Sequence, residues 1–259
     1  MEKPKVTAVI IAKNEEKRIA KCLESIRWVD EAVVVDGFST DRTVDIAKSY
    51  GAKVVQHKFT GAFADDRNIG NDNARNDWVL TLDADDVVTE NFRAKMEEAL
   101  SKDSGIVLYK FRRKNYFLGH YMEYGGWSHY IPNLINRRFV RFEGDLHEVP
   151  VHKEGVEGTI EADIEHYPFD SIAQFVDRQN RYSSILAQDV LKKRGVLSDR
   201  EIRKEMVGRS FKIFWKAYFK KKGYKEGAYG IIFAVLFAFI NFMKWAKYKE
   251  LCLELSKDR

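Results

Sequence analysis

The chain has 259 residues, of which 45% are hydrophobic and 13% aromatic, so it can bury a sizeable core and global disorder is excluded. Its two cysteines, Cys22 and Cys252, lie far apart and in no metal-type spacing, which indicates free thiols in a reducing compartment. The net charge of +5 is uneven, since residues 206–249 carry ten basic side chains and one acidic side chain. Basic charge of this density predicts an anionic partner, either phospholipid or nucleic acid.

Short apolar runs alternate with helical patterns over the first hundred residues. We predict strands at 6–12, 32–36, 52–56 and 78–82, and helices at 15–26, 40–50, 62–74 and 89–100. Continuous apolar strands separated by helices indicate an α/β fold, with a mostly parallel sheet that helices cover on both faces. Such sheets bind ligands at the carboxyl ends of their strands. No apolar segment with a small-residue cleavage site precedes the first strand, so we expect no signal peptide.

The pattern changes twice along the remainder of the chain. It turns irregular and aromatic from residue 105, with strands expected at 106–112, 134–139 and 159–165. After residue 168 it is helical, beginning with an amphipathic helix over 169–194 that Gly195 ends. We therefore predict an α/β domain at residues 1–168 and a helical region at residues 169–259.

The stretch TLDADDVV concentrates three carboxylates at the end of a buried strand. Close like charges cost stability unless a positive group sits between them, which points to a divalent cation. Asp83 and Asp85 are two residues apart, so on an extended chain they address one ligand from the same side. Asp36, at the mouth of the neighbouring strand, is positioned to accept hydrogen bonds from a ribose or a base. For Asp86 we expect a helix cap or a solvated surface charge.

Several other kinds of site are excluded by the sequence. There is no G-x-x-x-x-G-K-[ST] loop, no G-x-G-x-x-G after a strand and no serine nucleophile elbow. The stretch HEVPVH superficially resembles a zinc-protease motif, but its histidines are five residues apart and Pro150 forbids the required helix.

Four stretches resemble, in chain order, the motifs of the family 2 glycosyltransferases with the GT-A fold: VTAVIIAKNEEKRIAKCLESI, EAVVVDGFSTDRTVDIAKSYGAKVV, DDRNIG and WVLTLDADDVV. Two later stretches, GGWSHYIPNLINRRFVRFEGDLHE and HYPFDSIAQFVDRQNRYSSILA, are similar to the lipopolysaccharide core glucosyltransferase branch. One departure is Phe38, which stands where the family usually has glycine. The Gln-x-x-Arg-Trp motif of processive synthases is absent, which favours the transfer of a single sugar.

The resemblance implies roles for named residues around a nucleotide sugar. Asn14, Glu15 and Asp36 would line the nucleotide pocket, and Asp83 would contact the ribose or the metal. Asp85 would be the principal ligand of Mg²⁺ or Mn²⁺, which would act as a Lewis acid on the departing nucleoside diphosphate. Two residues of DDRNIG would lie near the base or the diphosphate, namely Arg67 and Asn68.

Inverting transfer also needs a base that accepts the proton of the acceptor hydroxyl. In the family this is a carboxylate beyond the metal motif, and the stretch LHE selects Glu148, with Asp145 and Glu143 as alternatives and His147 to orient it. A structural role for Glu148 stays open. His166 is a candidate for a further metal contact, but we expect a structural histidine. Trp127, beside a Gly-Gly pair, is either an acceptor contact or a core residue.

The basic C-terminal segment contains 17 uncharged residues at 227–243, with lysines on both sides. A membrane span needs about 20 apolar residues, whereas aromatic and basic helices lie in the bilayer interface. We predict monotopic attachment to the cytoplasmic face of the membrane, where a glycolipid acceptor resides. The alternatives are a buried helix or a homo-oligomer interface. We expect no nucleic-acid partner, because no binding motif accompanies the charge.

The sequence thus predicts a metal-dependent, inverting glycosyltransferase that moves one sugar from a nucleotide sugar to a glycolipid. UDP-glucose is the donor that the resemblance favours. A sugar-nucleotide pyrophosphorylase is disfavoured, because the residues after the first strand, Ala12 to Glu16, include no glycine. A non-catalytic membrane scaffold is the third interpretation, and the intact pair of Asp83 and Asp85 argues against it.

Overall fold

The computed structural model describes residues 4–60, 62–102, 104–144 and 148–257. The chain forms two compact units: unit 1 comprises Met1–Lys114 and His129–His166, and unit 2 comprises Asn115–Ser128 and Tyr167–Arg259. The predicted division into an α/β domain at residues 1–168 and a helical region at residues 169–259 stays a prediction.

Strands and helices alternate in the first hundred described residues, as the sequence predicts. The strands are β1 Val6–Ala12, β2 Glu31–Asp36, β3 Lys53–Gln56, β4 Trp78–Asp83, β5 Asp86–Val88, β6 Ile106–Phe117, β7 His120–Tyr121, β8 His129–Asn136, β9 Val140–Glu143, β10 Val149–His152 and β11 Val156–Phe169. The helices are α1 Ile19–Ser25, α2 Thr43–Ser49, α3 Phe63–Asn73, α4 Glu90–Leu100, α5 Ile172–Arg194, α6 Asp199–Arg203, α7 Arg209–Trp215 and α8 Ala228–Lys257. Two π-helical turns flank α7, at Lys204–Gly208 and Lys216–Lys220.

The main sheet has the strand order β3-β2-β1-β4-β8-β6-β11-β5. The first four strands of this order are parallel, and β8 then runs antiparallel to β4. In register, Asp36 lies beside Ala12, and Asp83 lies beside Ile11. The carboxyl ends of β1, β2 and β4 therefore meet at one edge, as the predicted α/β fold requires. Strands β9 and β10 form a separate antiparallel pair.

Alternating side chains of β1 enter two different cores. Val6, Ala8 and Ile10 belong to the core on the face that α1, α2 and α4 cover, whereas Val9 belongs to the core under α3. On the α3 face the helix approaches closely, because a Cβ added at Gly70 would lie 2.2 Å from Cγ1 of Val9. Helices therefore cover both faces of the parallel part of the sheet, which confirms the predicted fold class.

In unit 2 the segment 115–128 is joined to residues far along the chain. Nε2 of His120 lies 2.6 Å from Oε2 of Glu226, and the Tyr124 N–H donates to Oε1 of the same carboxylate at 2.6 Å. A buried hydrophobic cluster includes Phe117, which pairs with His120 between β6 and β7, together with Met122, Phe169, Phe175 and Phe233. The helix that follows, α8, contains a stretch over Ala228–Ser256 that is long and apolar enough to cross a membrane.

Candidate active site

An acidic cluster lies where β4 ends in unit 1. Side-chain ligand atoms of Asp83, Asp85 and His166 all lie within 4.8 Å of one another. Nε2 of His166 is 3.3 Å from Oδ1 of Asp85, because β11 pairs with β5 and sets His166 opposite Asp86. Asp85 is buried, whereas the Asp83 side chain is 33% exposed. One carboxylate of the cluster is thus open to an incoming ligand.

Two carboxylates and one imidazole form a donor set that suits a divalent cation. Carboxylate oxygens are preferred by Mg²⁺ and Mn²⁺, and an imidazole nitrogen favours transition metals over Mg²⁺. Asp83, Asp85 and His166 would hold such an ion, so the predicted metal residues fit the group. The structure thus places His166, which the sequence offers as a further metal contact, in the candidate donor set, and its role as a ligand or as a structural histidine stays a prediction.

A buried arginine balances part of the acidic charge. Nη1 of Arg113 lies 2.9 Å from Oδ2 of Asp83, and Nη2 lies 2.7 Å from Oδ2 of Asp86. Burial alone would raise the pKa of Asp83, but Arg113 and Arg67 outweigh it and hold that pKa below its usual value. For Asp86 burial dominates and raises the pKa to about 6, although Arg113 opposes the shift.

The structure overturns our expectation for Asp86, which is fully buried rather than on the surface. Its Oδ2 also accepts the Asp83 N–H at 2.8 Å, so it fixes the backbone of the acidic stretch. Sequence reasoning also did not place Arg113 beside these carboxylates. The period-2 burial of β6, in which Phe111 and Phe117 face inward, carries the signal that places Arg113 on the buried face.

Arg67 and Glu148, which the resemblance places in the site, form an ion pair. Nε of Arg67 donates to Oε1 of Glu148 at 2.8 Å, and Nη2 of Arg67 lies 3.7 Å from Oδ1 of Asp83. Arg67 thereby connects the predicted base to the acidic cluster. Glu143, an alternative base, is an exposed residue at the end of β9. The other alternative, Asp145, and the orienting His147 lie outside the described residues.

Asn68 is engaged with the backbone of β9. Its Nδ2 donates to the Phe142 carbonyl at 2.8 Å, and its Oδ1 accepts the Phe142 N–H at 3.0 Å. Both ends of the amide are thus bonded to one residue of the neighbouring strand. The predicted contact of Asn68 with a nucleotide stays a prediction.

The residues predicted to line a nucleotide pocket lie after β1 and at the end of β2. Asp36 is buried, and its Oδ2 accepts the Ser39 N–H at 2.9 Å and the Gln56 amide at 2.8 Å. Asn14 has a positive φ of 55°, and its Oδ1 accepts the Thr40 N–H at 2.8 Å. The bond between Asn14 and Thr40 joins the loop after β1 to the loop after β2.

Glu15 completes the set at the same loop. Its backbone N–H donates to Oγ1 of Thr43 at 2.8 Å, and its carboxylate accepts from Arg18 at 2.9 Å. The three nucleotide-pocket candidates Asn14, Glu15 and Asp36 therefore lie on the adjoining β1 and β2 loops, and their contact with a donor stays a prediction.

Trp127 belongs to unit 2, and its ring packs against the hydrophobic cluster there. Its ring centroid lies 5.2 Å from that of Phe233 and 5.6 Å from that of Phe237. Packing of this kind is the core role that we left open from the sequence. The acceptor contact stays a prediction.

The family model for glycosyl transferase family 2 matches residues 7–152. An uncharacterized glycosyltransferase of Rickettsia typhi is 31% identical, with 96% of this chain and 88% of the relative covered. The lipopolysaccharide core biosynthesis glycosyltransferase LpsC of Rhizobium meliloti is 24% identical, with 93% and 91% covered. The crystal structure of S. aureus TarS 1-349 is 15% identical, with a TM-score of 0.48 over 98% of this chain and 92% of that chain.

The family assignment rests on sequence similarity. The family model for glycosyl transferase family 2 matches more than half of the chain, and the Rickettsia relative is similar over nearly all of it. The parallel strands and the acidic cluster at their carboxyl ends agree with it. The chain is therefore a glycosyltransferase and belongs to glycosyl transferase family 2.

Proposed function

We propose that the chain is a metal-dependent, inverting glycosyltransferase that moves one sugar from a nucleotide sugar to a glycolipid or lipopolysaccharide-type acceptor. The observation that carries the proposal is the grouping of Asp83, Asp85 and His166 within 4.8 Å, with the pair of Arg67 and Glu148 beside it. A UDP-linked donor, UDP-glucose in particular, is the proposed substrate. The relative LpsC, whose name refers to lipopolysaccharide core biosynthesis, supports this class of acceptor.

In the proposed reaction, a hydroxyl of the acceptor attacks the anomeric carbon while its proton passes to the carboxylate of Glu148. The bond between the anomeric carbon and the diphosphate oxygen breaks, and the nucleoside diphosphate leaves with the electron pair. Arg67 would contact the diphosphate in this proposal, since a guanidinium binds phosphate oxygens in a planar fork. Mg²⁺ or Mn²⁺ held by Asp85, Asp83 and His166 would supply positive charge that stabilises the leaving group.

The donor and the metal can be tested by thermal unfolding. A ligand that binds the native state at a hundredfold excess over its Kd stabilises the protein by about 2.7 kcal/mol. We expect UDP-glucose with Mn²⁺ to raise the melting temperature, and Asp85→Asn to abolish the part of the shift that requires metal. GDP-, CMP- and dTDP-sugars serve as controls for the base. A folded protein that responds to none of these donors would contradict the proposal.

We also propose that unit 2 attaches the enzyme to an anionic membrane surface on the cytoplasmic side. Phe211, Trp215 and Phe219 recur every fourth residue and are 61%, 52% and 43% exposed. Exposed lysines follow them directly at 212, 216 and 220. Aromatic and basic side chains in this arrangement suit the interface of an anionic bilayer. The apolar stretch of α8 is further support.

Membrane attachment is tested by sedimentation with lipid vesicles. We expect the protein to sediment with phosphatidylglycerol-containing vesicles and to remain in solution with phosphatidylcholine alone. Replacement of Phe211, Trp215 and Phe219 by serine should abolish sedimentation. The control Val196→Ser, at another exposed apolar residue of unit 2, should leave it unchanged. If the same surface instead joins two copies of the chain, light scattering will show a dimer that the triple variant dissociates.

A further inference from the structure

Arg67 lies between two carboxylates that come from distant parts of the chain. Its Nε bonds Glu148 near β10, and its Nη2 faces Asp83 at the end of β4. The Arg67 side chain is only 9% exposed, and its Nη1 is buried without a hydrogen-bond partner among the described residues. An unpaired buried donor is costly, so the arrangement indicates a guanidinium whose last partner arrives with a ligand.

Strand β9, which precedes Glu148 in the chain, is bound to α3 at Asn68 and packs against Arg67. Asn68 bonds both backbone groups of Phe142, as an adjacent strand would. The ring of Phe142 lies under the guanidinium of Arg67, with its centroid 5.5 Å from Cζ. Strand β9 in turn pairs with β10, which begins one residue after Glu148. Consecutive residues of α3 therefore fix β9 and the carboxylate of Glu148.

We propose that Arg67 and Asn68 are positioning residues for Glu148, and that Arg67 links donor binding to the placement of that carboxylate. Asn68 secures β9, Nε of Arg67 orients the Glu148 carboxylate, and Nη1 of Arg67 takes an anionic oxygen of the donor diphosphate. The fork of the guanidinium allows both contacts at once, so donor binding completes its partners without releasing Glu148. The inference rests on the proposed function, because it takes Glu148 as the base.

A lysine at position 67 separates the two roles. It keeps the positive charge near Asp83 and the diphosphate, but its single nitrogen lacks the planar fork that serves two anions in fixed directions. If Arg67 only binds the donor, Arg67→Lys will act on donor affinity. If it also orients Glu148, the variant will slow the reaction even when the donor is saturating.

The probe is UDP-glucose with Mn²⁺. Its affinity is measured by calorimetry without acceptor, and turnover is measured as UDP release with water as acceptor. We expect Arg67→Lys to bind UDP-glucose within about threefold of the wild type and to turn over at least about tenfold more slowly at saturation. Asn68→Leu should likewise keep the affinity for UDP-glucose within about threefold of the wild type and slow turnover at saturation. The matched control is Arg141→Gln, which removes an exposed ion pair with Asp72 between the same α3 and β9, and should be unchanged.

A double variant distinguishes a shared role from independent ones. When Arg67 acts through Glu148, the variant carrying both Arg67→Lys and Glu148→Gln should be no more than about twofold slower than Glu148→Gln alone. If the losses in turnover rate of the two single variants multiply in the double variant, the inference is overturned. It is also overturned if Arg67→Lys lowers only the affinity for the donor. Full turnover by Glu148→Gln contradicts the proposed function instead.

Hydrogen exchange gives a readout that depends on neither donor nor acceptor. We expect Asn68→Leu to speed the exchange of the β9 and β10 amides at unchanged global stability, because the amide bridge to Phe142 is lost. Arg141→Gln should leave this exchange as in the wild type. Unchanged exchange in Asn68→Leu overturns the positioning role, whatever the enzyme assays show.

Discussion

Nη2 of Arg113 lies 2.7 Å from Oδ2 of Asp86, and both residues are buried beside the acidic cluster of unit 1. The same guanidinium bonds Asp83, so one arginine of β6 joins two carboxylates from the end of β4 and the start of β5. The repulsion evident in the sequence stretch TLDADDVV is thus relieved in part by the chain itself. The third carboxylate of the stretch, Asp85, has its Oδ1 3.3 Å from Nε2 of His166.

Arg113→Met should destabilise the protein strongly. Removing one partner of a buried ion pair leaves an uncompensated charge and costs about 3–5 kcal/mol. Added Mn²⁺ should recover more stability in this variant than in the wild type, because the carboxylates then lack their internal cation. Urea unfolding with and without Mn²⁺ measures both effects. The control Arg138→Met, which breaks an exposed pair with Asp77, should cost less than about 1 kcal/mol.

His166→Ala should weaken metal binding. The imidazole is one of three candidate ligands, and because even the loss of a hydrogen-bond partner of a ligand costs about 10–100-fold in affinity, the loss of the ligand itself should cost at least about tenfold. Titration of Mn²⁺ into the protein without nucleotide measures this directly. His152→Ala, a change on strand β10, should bind Mn²⁺ as the wild type does. Equal affinity of all three proteins would remove His166 from the ligand set.

Asp163 should make stability depend on pH at the acid end. The side-chain hydrogen bonds from Arg112, with help from Lys114 and against the effect of burial, hold the pKa of Asp163 below its usual value. A depressed folded-state pKa stabilises the protein above the unfolded pKa of about 3.9, and this stabilisation is lost as pH falls through the folded pKa. The difference in unfolding free energy between wild type and Asp163→Asn should therefore be largest near pH 7 and shrink below pH ~4.

A difference in unfolding free energy between wild type and Asp163→Asn that stays constant from neutral to acid pH would show that the ion pairs of Asp163 do not stabilise the fold.

Gly70→Ala should destabilise unit 1. The new methyl group would meet Cγ1 of Val9 at 2.2 Å, and overpacking of this kind costs about 1–3 kcal/mol. Gly208 is also in a helical turn, but nothing lies within 4 Å of a Cβ added there. Gly208→Ala should therefore stabilise the protein by up to about 1 kcal/mol. Thermal unfolding of the two variants checks the opposite signs. Equal changes in melting temperature for the two variants would mean that α3 moves away from β1 without a loss of stability.

Local sequence patterns predict the parallel part of the fold well. The apolar runs of β1, β2 and β4 and the helices between them follow from burial on two faces and from simple start and stop signals. Thr89 accepts the Phe92 N–H at 3.1 Å at the start of α4, and Gly195, with φ 62°, ends α5. Strand β5 has only three residues, too few for any periodicity to show.

The contacts within the candidate site are harder to predict, because they join distant parts of the chain. Glu148 is 81 residues from Arg67, and the resemblance assigns each a role without indicating that they touch. His166 approaches Asp85 only because β11 pairs with β5. Asp86 looks like a surface charge when read locally, since its neutralising partner Arg113 comes from β6. Tertiary pairing, rather than local propensity, decides these positions.

The link between His120 and Glu226 has a consequence for the order in which the chain is made. On the ribosome, the aromatic segment 115–128 emerges about a hundred residues before the carboxylate that ties it down and before Phe175 and Phe233, which cover Phe117. Until then Phe117, Met122 and Trp127 lack the partners that bury them. A nascent chain stalled before residue 226 would therefore expose hydrophobic surface that chaperones bind. The members of the acidic cluster, in contrast, are all present once His166 has been synthesised.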